Sequence, residues 1–214
     1  MPASSDNPAN GLDRRGFLRA TAAMGGAAAL GVLGASPAEA QRDELPPVGA
    51  EIPYSMLATD TQVRIRTDLV RVDFRGGIKH RVEADPYDPD RSVRLRTLEF
   101  KVTGKLPDDN GTEGGTITLE QNNPDADVQS RLRLTQGNPP RYEMVMVLSF
   151  TMTIDRPGSE RLVLTTEDPA RLFARLTQFP PQRDLYELEN PVDLVLPDTT
   201  IVTLRRFPVK VSGL

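Results

Sequence analysis

The stretch from Glu143 to Asp155 constrains the fold more than any other. Met144, Met146, Leu148, Phe150, Met152 and Ile154 take every second position, with Val145, Val147, Ser149, Thr151 and Thr153 between them. Only an extended chain, whose side chains point alternately to opposite faces, gathers that apolar set on one surface. At ~3.3 Å per residue the stretch would span roughly 43 Å. That length predicts a bent or bulged central strand crossing the core.

The same period recurs along most of the chain. Val63 and Ile65, then Val70, Val72 and Phe74, alternate with Arg64, Arg66, Arg71, Asp73 and Arg75. Gly76-Gly77 reads as a hairpin turn, with Ile78, His80 and Val82 on the returning strand. A second turn, Asp85-Pro86-Tyr87-Asp88-Pro89-Asp90, leads into Ser92 to Leu106. There Val93 and Leu95 point one way and Leu98, Phe100 and Val102 the other, the phase switch of a β-bulge. Strands are also expected at 116–121, 128–136, 162–166, 185–188, 192–196 and 200–211.

One segment reads as helix. Asp168-Pro169 resembles an N-cap followed by proline, leading into Leu172, Phe173 and Leu176, with Arg171 and Arg175 on the solvent side and Pro180-Pro181 as the stop. The expected fold is therefore all-β, an antiparallel β-sandwich with one short helix near 169–178, and a β-barrel is the alternative. The sandwich is preferred because Pro191, Pro197 and Pro208 punctuate the last strands as edge strands permit.

The N-terminus has a different character. Asp13-Arg14-Arg15-Gly16-Phe17-Leu18-Arg19 precedes an uncharged Ala- and Gly-rich stretch from Ala20 to Ala38, and Ala38-Glu39-Ala40 supplies small-x-small. This order of basic start, mildly apolar middle and cut site resembles a twin-arginine signal peptide over residues 13–40. The resemblance implies export of an already folded chain by the twin-arginine translocase, cleavage before Gln41, and a periplasmic or extracellular destination with no membrane span left after cleavage. It concerns about a fifth of the chain and implies nothing about the fold of the rest. The expected organisation is a signal peptide at 1–40, an extended segment at 41–61 and one β-sandwich domain at 62–214.

Composition removes several chemistries. There is no cysteine, so no disulfide, thiolate metal site, lipobox or cysteine nucleophile can exist. One histidine excludes a His-rich metal site, and a net charge of −4 does not suggest nucleic-acid binding. His80, between Lys79 and Arg81 and without any G-x-S-x-G, is expected as a structural strand histidine sharing a face with Ile78 and Val82. Scattered carboxylates and a supply of aromatics without tryptophan give little to a sugar site.

Three leads toward ligands remain. Asp109, Glu113 and Glu120 lie in or after a Gly-rich turn at offsets similar to those of a calcium loop, although Gly111 stands at its third position. Arg64, Arg66, Arg94, Arg96, Arg131 and Arg133 fall at outward strand positions, where guanidinium forks suit anions. Cross-strand pairing with acids is the competing reading. The Met-lined face of Met144 to Met152 could surround an apolar ligand or pack a core, and packing is the expectation. Together these features predict an exported, cofactor-free binding or structural protein of the cell envelope rather than an enzyme. Its partner would be a protein or a small anionic or apolar ligand. A small carboxylate-dependent hydrolase or lyase and an apolar-ligand-binding β-barrel are the alternatives.

Overall fold

The computed structural model describes residues 45–107, 114–122, 130–196 and 199–214, with only the backbone of 199–201. Its strands are β1 Glu51–Ile65, β2 Asp68–Ala84, β3 Ser92–Lys105, β4 Thr116–Gln121, β5 Arg131–Gln136, β6 Arg141–Leu148 and β7 Phe150–Asp155. They continue with β8 Leu162–Thr166, β9 Ala170–Leu176, β10 Gln182–Leu188, β11 Val192–Leu196, β12 Thr199–Arg206 and β13 Val209–Gly213. All pairings are antiparallel.

The hydrogen bonding organises these strands into full-length runs. β1, β2 and β3 are continuous, whereas each later run is a pair of strands end to end: β4 with β5, β6 with β7, β8 with β9, β10 with β11, and β12 with β13. Thus β3 carries β4 on Lys101–Lys105 and β5 on Ser92–Arg94, and β6 pairs with β5 and β9 while β7 pairs with β4 and β8. At the far side β13 pairs with Tyr54–Ala58 and β12 with Gln62–Ile65, both in β1. Each run therefore lies beside its sequence neighbour, and the last returns to the first. The sheet curls into a ring of the barrel-like kind, with inward side chains meeting across a filled interior as the two layers of a sandwich do.

The expected long strand at 143–155 is present, bent at Ser149 between β6 and β7. Prolines Pro169, Pro191 and Pro208 stand at three of the other breaks, those of β8–β9, β10–β11 and β12–β13, where a residue without an N–H interrupts the ladder. Pro191 and Pro208 thus mark bends inside paired runs, not edge strands; Pro197 lies outside the described residues. Inward phenylalanines fill the middle, with Phe74 against Phe207 and Phe100 against Phe150, each at 6.0 Å between ring centres.

Two further expectations fail for identifiable reasons. Residues 170–176 form β9, not a helix, with Ala170, Leu172, Ala174 and Leu176 buried and Arg171 and Arg175 exposed. Leu172 with Leu176, and Arg171 with Arg175, share a face in either conformation. The vacant backbone edges of β6 and β10 decide the matter by pairing on both sides. Gly76-Gly77 is not a turn either, because β2 runs straight through it. A Cβ at Gly76 would lie 2.0 Å from the Lys101 carbonyl oxygen, and one at Gly77 2.8 Å from that of Tyr54. The pair admits the close approach of the flanking backbones of β3 and β1.

The β-bulge appears as foreseen, with the β2–β3 register slipping between Lys79 and His80 opposite Glu99 and Thr97. The segment expected as a lead-in at 41–61 contributes most of β1, from Glu51 to Thr61, and Tyr54, Met56 and Ala58 are core residues. Residues 1–44, which hold the signal-like segment, lie outside the described part.

Candidate functional site

The interior is closed to a ligand as it stands. Met144, Met146 and Met152 have no exposed surface, and Tyr54, Phe74, Leu95 and Tyr186 fill the space between the walls. The Met-lined face is thus a packed core. His80 shares that interior with Ile78 and Val82, as its alternation requires, and its ring meets Tyr54 edge-on at 5.5 Å. Neither ring nitrogen has a hydrogen-bond partner among the described residues, so no serine or carboxylate makes it a catalytic base. Burial drives its pKa from 6.5 down to about 3, and the imidazole is neutral. Burial likewise raises the phenols of Tyr54 and Tyr186, the latter donating to Met144 Sδ at 2.9 Å.

The arginines divide into two groups. Arg94 stands opposite Arg131 across β3 and β5, Arg133 is opposite Ser92, and Arg96 is opposite Arg81, so Arg94, Arg96, Arg131 and Arg133 share one outward wall. Acids accompany most of them: Asp85 lies 3.9 Å from Arg94, Glu83 3.9 Å from Arg96 and Asp88 3.8 Å from Arg133. Beside them Glu51 takes Lys79 and Arg81, and these two cations lower its pKa to about 2. Asp85 is buried, accepts from Ser92 Oγ and from the Tyr87 N–H, and organises the 85–91 turn. The Ser92 hydroxyl, above all, holds its carboxyl below the usual range. On this wall arginines that stand opposite one another are offset by acids from the 85–91 turn and from Glu83 on β2, so most of its charge is matched. Arg64 is elsewhere, donating to Thr203 Oγ1 at 3.2 Å, while Arg66 has φ 55° in the β1–β2 connection.

Of the calcium candidates, Asp109 and Glu113 lie outside the described residues. Glu120 sits on β4 opposite Lys101, to which it pairs at 3.5 Å. Among the described residues no group of three or more metal-ligating side chains comes together.

The geometry that sequence reading missed begins at Asp60. The β1–β2 register slips between Ala58 and Thr61, and Asp60 takes φ 56° in that bulge. Its N–H donates to Asp73 Oδ1 at 2.8 Å, and its two carboxylate oxygens hold Arg71 and Arg206, each at 3.3 Å. The signal was present: Tyr54, Met56 and Ala58 are in even phase, but Thr61 and Val63 are in odd phase.

The bulge opens an outward groove of about 880 Å³ whose floor includes Asp73, Arg75, Thr103, Gly104 and Pro107. It shares Lys105, Leu106, Pro107 and Thr116 with a second hollow of about 690 Å³ that reaches Asp155 and Pro157. Arg75 faces Thr103 and Lys105 faces Thr116 across the strands, which sets the two cations diagonally on one face. Neither has an ion-pair partner among the described residues. Asp60, Asp73 and Asp155 line the same two hollows as Arg71, Arg75 and Lys105, and Asp60 is engaged by Arg71 and Arg206, which leaves Arg75 and Lys105 as cations without an ion pair among the described residues, beside apolar Leu106 and Pro107. The arrangement suits an anion carried on a partly apolar group.

No protein-family model matches the chain, and no curated protein matches it. Among solved structures the chain is similar to DynF from the dynemicin biosynthesis pathway of Micromonospora chersina, with 16% identity and a TM-score of 0.54 over 78% of this chain and 82% of that one. At that identity the likeness concerns the fold.

Proposed function

We propose that this chain is exported by the twin-arginine route and acts by binding, its outer groove at Arg75 and Lys105 taking an acidic, partly apolar segment of a partner protein of the cell envelope. The observation that carries the binding site is the cation pair Arg75 and Lys105, which has no ion-pair partner among the described residues, beside Leu106 and Pro107 in a continuous groove. The closed ring supports this mode over strand addition. Both long sides of the described runs are already paired, so a partner must be read by side chains on the outer face. The export half of the reading rests on Arg14-Arg15 and the stretch behind them.

The test of binding is selection from a displayed library of random octapeptides against the chain from Gln41 onward. Enrichment of sequences with Asp or Glu beside apolar residues is expected, with at least tenfold weaker binding by an Arg75→Glu/Lys105→Glu variant. Selection without acidic bias, or equal binding by that variant, overturns the reading. For export, replacing both Arg14 and Arg15 by Lys should keep a fused reporter in the cytoplasm.

A further inference from the structure

The end of the ring that contains Tyr54 holds a second feature, independent of the outer groove. Four polar atoms point inward there without a hydrogen-bond partner among the described residues: the Tyr54 hydroxyl, both nitrogens of His80 and the Thr97 hydroxyl. His80 and Thr97 are opposite each other across β2 and β3, and Tyr54 lies one residue pair along β1, opposite Ile78. His80 is fully buried, and interiors rarely leave such atoms unpaired. Each orphan costs about 1–3 kcal/mol.

Phe179 packs against this end. It lies in the β9–β10 connection, with its ring centre 6.5 Å from that of Tyr54 and 6.2 Å from that of Tyr142. It is half-buried, while its neighbours Thr177, Gln178 and Pro180 are exposed. The connection is tied down on its far side, where buried Pro181 accepts from the Gly213 N–H at 2.8 Å, but a side chain between exposed neighbours is displaced more readily than one on a strand of the wall. Nearby inward positions include apolar Ile52, Ile78, Val82, Leu176 and Val211, together with the buried rings of Tyr142 and Tyr186.

We propose that this end of the ring takes an uncharged, mainly apolar small molecule, whose hydrocarbon part replaces the Phe179 ring and whose hydroxyl or carbonyl oxygen pairs with Tyr54 and His80. The ligand recovers the hydrogen bonds the closed form lacks, and the exposed Phe179 ring is the cost of opening. The class follows from the lining. A carboxylate or ammonium would be buried with no opposite charge beside it, whereas a hydroxyl can both donate to an imidazole nitrogen and accept from a phenol.

The experiment uses the chain from Gln41 and the fluorescence of N-phenyl-1-naphthylamine, a neutral polarity-sensitive probe, with decanol, decanoate and decane as competitors at pH 7.5. Wild type is expected to bind the probe and to release it to decanol at a concentration at least tenfold lower than to decanoate or decane. Phe179→Ala should bind the probe at least threefold more tightly, having no ring to displace. Tyr54→Phe/His80→Leu should keep probe binding but bring decanol to within threefold of decane. An Arg75→Glu/Lys105→Glu variant should behave as wild type, which separates this site from the groove. Absence of probe binding in both wild type and Phe179→Ala overturns the site. Displacement by decanoate as effective as by decanol overturns the ligand class, and an unchanged decanol preference in the double variant overturns the assignment to Tyr54 and His80.

Discussion

Tyr54 meets His80 edge-on inside the ring, at 5.5 Å and 62° between the ring planes, and neither side chain has a hydrogen-bond partner for its polar atoms among the described residues. An apolar residue of similar volume at position 80 would keep the packing and remove two orphaned nitrogens. His80→Leu is therefore expected to raise unfolding free energy at pH 7.5 by about 1–2 kcal/mol, by analogy with other unpaired buried groups. Urea denaturation followed by circular dichroism checks it. A loss of stability would mean that the imidazole has partners in solution.

The same residue sets how stability responds to acid. Its pKa is about 3 in the folded chain against an ordinary 6.5, so the unfolded state takes up the proton first as pH falls. Stability from this source is complete above about pH 6.5 and declines by about 1.4 kcal/mol per pH unit down to pH 3. Glu51, lowered from 4.5 to about 2 by Lys79 and Arg81, adds a loss of the same sign that begins only below pH 4.5. That group is exposed and screened, so its share shrinks in salt. Denaturation series at pH 7.5, 6.0 and 5.0 should show the decline in wild type and a flat profile in His80→Leu. A decline that persists in the variant would assign it to other groups.

Much of this architecture was legible because period two survives wherever a strand has one face inside and one outside. Val192–Leu196 and Thr116–Gln121 came out with their observed limits, and the phase switch between Leu95 and Leu98 marked a true bulge. What failed depended on distant neighbours. The spacing of Leu172 and Leu176 fits a helix as well as a strand, and only the edges of β6 and β10, supplied from elsewhere in the chain, select the strand. Ring closure was illegible for the same reason, since β12 and β13 meet β1 across most of the chain. The outward arginines were read as outward, but which of them find acids depends on register. Arg75 and Lys105 stand out only once β2, β3 and β4 are aligned.

Core substitutions should follow the inward pattern. Met152 and Leu119 face each other across β4 and β7, and both are fully buried. Leu119→Ala removes three carbons and leaves a hole between facing strands, so a loss of about 2–5 kcal/mol is expected. Thr118→Ala, one residue away on the outer face, loses only a cross-strand contact with the Thr103 hydroxyl and should cost no more than about 1 kcal/mol. Equal effects would contradict the assignment of faces on β4.

The glycines give the sharpest contrast between space and conformation. Gly76 lies mid-strand, and a Cβ there would sit 2.0 Å from the Lys101 carbonyl oxygen and 2.7 Å from the Val102 Cα. Both obstacles are backbone of the adjacent strand, so the clash is relieved only by pushing β3 away from β2, which breaks ladder bonds on the continuous side of the ring. Gly76→Ala should cost about 2 kcal/mol or more, within the range of overpacking and lost backbone pairing. Gly137, in the turn between β5 and β6, has nothing within 4 Å of its would-be Cβ. There Ala should be neutral or stabilise by up to about 1 kcal/mol, through a less free unfolded chain. Thermal melts of the two variants decide the point: a Gly76→Ala protein that melts with wild type would mean that β2 and β3 are not held as close as the register requires.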